Sequence, residues 1–166
     1  MNIKIWHGFL VGVLLLTVAG CKEETPPPLK MNFVCEAGKN KTPTTYALTP
    51  IGKKPVIRWV SKYFEGSGST PQRRCEKVTQ QMQNAQNNGV LNFITVGREN
   101  NQDVICFSDT KGGKCDLTLL TLKPNDSAGK AVDDLLNVGA AGPIEQSSGR
   151  PYIDFEQWVK SIPSEK

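Results

Sequence analysis

The sequence predicts an α+β domain: an antiparallel sheet of about five to six strands, one long and two short helices, and two disulfides. Three observations carry this. Several short apolar runs are joined by connections too short for a crossover helix. One segment alone, TPQRRCEKVTQQMQNAQNNG, has the periodicity and both end signals of a long helix. Four of the five cysteines remain after the first, Cys21, is set aside, an even number suited to cross-linking in an exported domain.

The elements follow in order. MNFVCEA (31–37) is the first strand, and TTYALT (44–49) and PVIRWV (55–60) flank the turn PIGKK, where Pro50 sets φ and Gly52 permits reversal. The long helix opens at Thr70 as N-cap, with Pro71 at the first helical position, where a missing N–H is harmless; Gly89 stops it. Cys75, Val78, Met82 and Ala85 form one narrow apolar stripe, so the helix covers a sheet with one side only. VLNFITV (90–96), DVICF (103–107) and CDLTLLTL (115–122) read as an antiparallel meander. Asp126 or Ser127 caps a short helix over AVDDLL that ends at Gly139. In YIDFEQWVKSI, Asp154 with Gln157 is a loose capping box. Ile153 and Trp158 stand at staple spacing, and Phe155, Trp158, Val159 and Ile162 supply the core face.

Four cysteines allow three pairings. The hairpin around TKGG favours Cys106 with Cys115 as directly opposed partners, which leaves Cys35 on the first strand to join Cys75 on the helix.

The N-terminus is set apart from the fold. Lys4 followed by FLVGVLLLTV has the form of a signal-peptide core, too short to span a bilayer as a mature helix. It runs into VAGC, small residues directly before Cys21, as in the lipobox of bacterial lipoproteins, whose cysteine is acylated. Residues 1–20 are thus expected to be a lipoprotein signal peptide, and 21–30 a lipid-anchored spacer. Its KEETPPPLK run favours extended polyproline geometry and is expected not to pack. Residues 31–163 form one domain. The expected location is the periplasmic face of an envelope membrane, with thylakoid association a further option.

The formal net charge is +4, one unit of it from Lys4, with signs interspersed; this suits solubility and gives no basic stripe for nucleic acid. The single histidine, His7, falls in the leader, so His-based triads and Cys–His dyads have no candidate. CxxC is absent, and no cofactor or metal set is expected. Ser127 and Lys130 have Ser-x-x-Lys spacing, which a helix cap and a surface lysine explain. Trp59, Tyr63 and Phe64 could serve as an aromatic platform but suit a core with a rim. SGSTPQRRC (67–75) has the look of a phosphate cradle without a Walker lysine. A cap and loop explain it, leaving Arg73, Arg74, Lys77 and Trp59 as a candidate docking or small-anion surface. One arginine is expected to stack on Trp59 or pair with Glu65.

FVC (33–35), PTTYA (43–47), PVIRWVSKYF (55–64), GSGSTPQRRC (66–75), GVLNFITVGR (89–98), VICF (104–107), GGKCDLTLLTLKP (112–124) and YIDFEQWV (152–159) stand in an order that resembles the circadian oscillating protein family of cyanobacteria. The resemblance covers most of the chain after the spacer. It matches Cys35, Cys75, Cys106 and Cys115 to the family's cysteines, and Trp59, Pro71 and Arg74 to its central motif. It implies a small exported, membrane-associated domain and transfers no catalytic residue. The expected function is therefore a non-enzymatic, lipid-anchored docking or support domain. Its expected partners are membrane lipid through acylated Cys21 and a protein, with no nucleic acid. The alternative is a histidine-free hydrolase or an anion- or ligand-binding protein. A pocket lined by Asp109, Asp116 or Lys130 would favour the alternative.

Overall fold

A computed structural model describes residues 27–136 and 150–165. The leader, Cys21 and the expected helix stop at Gly139 lie outside these residues. Among the described residues the order is β1 (Asn32–Ala37), β2 (Pro43–Thr49), β3 (Gly52–Arg58), α1 (Pro71–Asn87), β4 (Phe93–Glu99), β5 (Gln102–Ser108), β6 (Leu117–Thr121), α2 (Ala128–Leu136), β7 (Tyr152–Asp154) and α3 (Phe155–Ser161). The α+β class, the antiparallel pairing, one long and two short helices and both disulfides are as the sequence predicts. The strands divide into two sheets, ordered β1-β2-β3 and β6-β5-β4-β7.

Turn chemistry sets the registers. Thr49 pairs with Gly52 across Pro50 and Ile51, so the first hairpin is tighter than the PIGKK reading suggests. Glu99 pairs with Gln102 across Asn100 and Asn101, both at positive φ (48° and 62°). Asparagine tolerates that region, and two such residues match strand twist in a two-residue hairpin. β7 was not evident in the sequence: its three residues pair with Thr95, Ile94 and Phe93 far back along the chain.

α1 starts as predicted. The Thr70 hydroxyl accepts the Arg73 N–H, and Pro71 follows at the first helical position. Its buried face is the predicted stripe with Thr79 added. Thr79 is accommodated because its hydroxyl bonds Thr45 Oγ1 at 2.9 Å, which satisfies both buried hydroxyls. α1 packs on β1 and β2 of one sheet and on β6 of the other. The two sheets also meet at Phe155. Its ring lies 6.1 Å from Phe33 of β1, 5.6 Å from Phe107 of β5 and 5.6 Å from Trp158. The Asp154 carboxylate accepts the Gln157 N–H at 2.8 Å and starts α3 there, as the capping pattern indicates.

The disulfides join Cys35 to Cys75 and Cys106 to Cys115. The second pairing is the expected one, but its geometry differs. Cys106 stands opposite Thr118, β6 begins only at Leu117, and the register shifts between Ile105 and Cys106. Cys115 therefore reaches back from the connecting loop and lies over β4, where a Cβ on Gly97 would collide with its Sγ. The spacer also departs from expectation at its end. The Leu29 N–H bonds Glu156 Oε2 at 2.9 Å and its side chain packs against the core, so the chain is already seated before residue 31.

Candidate functional site

The stretch leading into α1 is built on Trp59. This ring is 4% exposed, so it offers no open platform. Its indole N–H donates to Thr45 Oγ1 at 3.0 Å, which ties the end of β3 to the Thr45–Thr79 pair beside Cys75. Arg74 lies above it, with Cζ 5.4 Å from the Trp59 ring centroid and 5.7 Å from that of Phe64. The same guanidinium donates to the Ser61 carbonyl, while its Nε is buried with no hydrogen-bond partner. Burial holds Arg74 below the ordinary arginine value, and the charge of Glu65 opposes that shift. The expected stacking of one arginine on Trp59 is thus the observed arrangement.

Arg73 points the other way and donates to the Gly68 carbonyl at 3.0 Å. Gly68 is left-handed (φ 79°) and closes the single turn Glu65–Ser67. Five of the backbone amides that a phosphate cradle could use are spent internally. Ser67 and Ser69 donate to Phe64 O, Gly68 to Glu65 O, Arg73 to Thr70 Oγ1 and Arg74 to Thr70 O. The stretch is a folded loop and cap, which leaves fewer backbone donors for an anion than its glycines and serines suggest.

What faces outward is only partly what the sequence nominates. Val60 is 72% exposed and Tyr63 60%, with the Tyr63 ring edge-on to Phe64 at 4.9 Å and Lys123 Nζ 5.1 Å above it. Arg73 and Lys77 are exposed on the adjoining turns of α1. Tyr63 was legible only as a member of the Trp59, Tyr63 and Phe64 cluster and Val60 only as the end of the strand PVIRWV, because sequence does not tell which of these residues stays outside. Beside them runs a groove of about 210 Å³ between Phe64, Arg74, Lys77 and Gln81 on one side and Thr118 to Thr121 of β6 on the other. A second groove, about 390 Å³, lies at the opposite end of α1 between Leu29, Gln86, Leu91 and Lys160.

The residues named for an enzymatic alternative do not converge. The Ser127 hydroxyl accepts the backbone N–H of Lys130 as the cap of α2. Asp116 Oδ2 accepts the Asp109 N–H at 3.0 Å on an exposed loop. Neither groove is lined by Asp109, Asp116 or Lys130. Among the described residues no group of His, Cys, Asp and Glu side chains is placed to hold a metal ion, and no helix is long and apolar enough to cross a membrane.

A family model described as circadian oscillating protein COP23 matches residues 32–160. The chain belongs to the circadian oscillating protein family. The family match begins at the first residue of β1 and ends inside α3, so it spans both sheets, all four bridged cysteines and the Trp59–Arg74 stack. Residues before Asn32, including Cys21 and the spacer, fall outside it. No curated protein and no solved structure matches the chain significantly.

Proposed function

We propose that this member of the circadian oscillating protein family is a lipid-anchored, non-enzymatic docking or support domain on the periplasmic side of a bacterial envelope or thylakoid membrane. The observation that carries the reading is VAGC ending at Cys21, joined by a short spacer to a seated Leu29. Seven residues lie between Cys21 and Leu29, eight steps along the chain and a reach of at most about 28 Å. An acyl group on Cys21 therefore keeps the Leu29 end of the domain close to the bilayer.

α1 supplies the rest of the argument. Its 17 residues extend about 25 Å. Gln86 near its C-terminus lines the groove with Leu29, while Arg73 and Lys77 lie at its other end beside Tyr63 and Val60. The basic and apolar surface is thereby held away from the anchored end, where a protein partner with acidic groups can reach it. Both disulfides agree with an oxidising compartment.

The test is direct. Intact-mass spectra of the membrane-extracted chain should show a diacylglycerol-modified N-terminus at Cys21, and Cys21→Ala should move the protein to the soluble fraction. Undiminished membrane attachment of Cys21→Ala ends the anchor reading. For docking, capture from membranes is compared between wild type and Arg73→Ala/Lys77→Ala, with Arg74 left in place because it holds the loop. A partner lost with those two charges supports the surface, and identical capture rejects it.

A further inference from the structure

The sulfur pair Cys106–Cys115 has surroundings that a purely structural bridge does not need. Arg150 Nη2 lies 3.0 Å from Cys115 Sγ and 3.6 Å from Cys106 Sγ. Its Nη1 donates to the Gly113 carbonyl at 3.3 Å, and its Cζ lies 5.5 Å from the Tyr152 ring centroid. The Tyr152 hydroxyl donates to the same carbonyl at 2.5 Å. Arg150 Nε is buried and makes no hydrogen bond. A guanidinium is thus fixed against a neutral disulfide, and no carboxylate is paired with it among the described residues. Such a group gains most from its neighbour when that neighbour becomes negative.

The two sulfurs are also unequal. Cys106 is fully buried, whereas Cys115 is partly exposed on the loop that follows Gly112 and Gly113. Gly97, with no side chain, lets this bridge lie directly against β4, with Arg150 alongside. The bridge stands apart from the main hydrophobic core, which includes Cys75 and contacts Cys35 but contains neither Cys106 nor Cys115. It closes a span of only 9 residues, against 40 for Cys35–Cys75. Opening it leaves the core and the bond from β1 to α1 in place.

We propose that Cys106–Cys115 is a thiol–disulfide exchange site for an external dithiol, with Arg150 stabilising the thiolate that forms on Cys115. One thiolate of the dithiol attacks Sγ of Cys115, the less buried residue of the pair. The sulfur–sulfur bond breaks and its electron pair leaves on Cys106, which takes a proton from the second thiol of the reagent. That second sulfur, now a thiolate, attacks the mixed disulfide and expels Cys115 as a thiolate 3.0 Å from Arg150. The dithiol ends as a disulfide, and two electrons rest on the protein as a thiol and a thiolate.

The experiment uses the full chain in detergent, titrated with dithiothreitol, trapped with an alkylating reagent and mapped by peptide mass spectrometry. Cys106 and Cys115 should be alkylated at reductant levels that leave Cys35 and Cys75 bridged. Parallel reduction of both bridges overturns the proposal. In the reduced protein the alkylation rate of Cys115 at neutral pH should fall roughly tenfold in Arg150→Ala and remain close to wild type in Arg150→Lys, which keeps the charge. An intact Cys35–Cys75 bridge verifies the fold of each variant. An Arg150→Ala rate equal to wild type overturns the role of Arg150, and with it the exchange site.

Discussion

Arg74 lies over the Trp59 ring with its Cζ 5.4 Å from the ring centroid, while the adjacent Arg73 donates to Gly68 on the other side of the loop. Two neighbouring arginines thus have separate tasks. Arg74 is enclosed by two aromatic rings and the Ser61 carbonyl, and Arg73 remains exposed. Arg74→Ala should lower stability by about 1–2 kcal/mol in urea unfolding, from lost ring contact and a lost charge-assisted hydrogen bond. Arg73→Ala should stay within about 0.5 kcal/mol of wild type. Equal losses for the two variants would contradict this division.

Gly97 is the second position with a sharp consequence. A methyl group there meets Cys115 Sγ, and beyond it Arg150 and Cys106. Cys106 is held within β5 between Thr95 and Thr118, so room for the methyl group has to come from movement of the Cys115 loop or loss of the bridge. Gly97→Ala should therefore destabilise the domain by about 1–3 kcal/mol or leave Cys106 and Cys115 unbridged. Thiol counting and thermal melts distinguish the two, and a wild-type melt with both bridges formed would refute the close approach.

These positions show what sequence can and cannot disclose here. The start of α1 was legible because both signals act locally, Thr70 through a hydrogen bond within one turn and Pro71 through its fixed φ at the first helical position. The start of α3 was legible for the same reason at Asp154. The division into two sheets was not, since it depends on Phe155 meeting Phe33 and Phe107 across long stretches of chain. β7 has three residues and no period to read, and its partner β4 is distant in sequence. At the candidate surface, SGSTPQRRC announced two arginines and a loop. Only the fold could assign one arginine inward and leave Val60 and Tyr63 outside. The Arg150 contact is of the same kind, because nothing near Cys115 in sequence points to it.

The C-terminal segment fastens to the first sheet through Glu165. Its carboxylate accepts from the Tyr46 hydroxyl at 2.7 Å and pairs with Arg58, and its N–H bonds the Lys53 carbonyl. The Tyr46 hydrogen bond, then the charges of Arg58 and Lys53, hold Glu165 below its ordinary value of 4.5 against the opposing effect of burial. A depressed folded-state value means the stabilisation is complete above the unfolded value and declines as pH falls through the folded one. Stability should therefore drop as pH is lowered below about 4.5, and Glu165→Gln should flatten that part of the profile. Unfolding curves from pH 7 to pH 3 test this, and an identical acid limb in Glu165→Gln would remove Glu165 from the account.

The two disulfides should differ in what they contribute to stability. Chain-entropy estimates for closed spans of 9 and 40 residues are roughly 2.6 and 3.9 kcal/mol at about 25 °C. Packing widens the gap. Cys75 is fully buried in the main core and its bridge ties β1, an edge strand, to the helix that covers both sheets. Cys106–Cys115 ties a loop to the strand directly before it. Replacing Cys35 and Cys75 by alanine should thus cost at least about 1 kcal/mol more than replacing Cys106 and Cys115, with a larger rise in proteolysis of β1. Urea unfolding of the two double variants at one pH decides it. A greater loss from the Cys106/Cys115 variant would mean that the loop over β4, not the strand-to-helix tie, limits the stability of the domain.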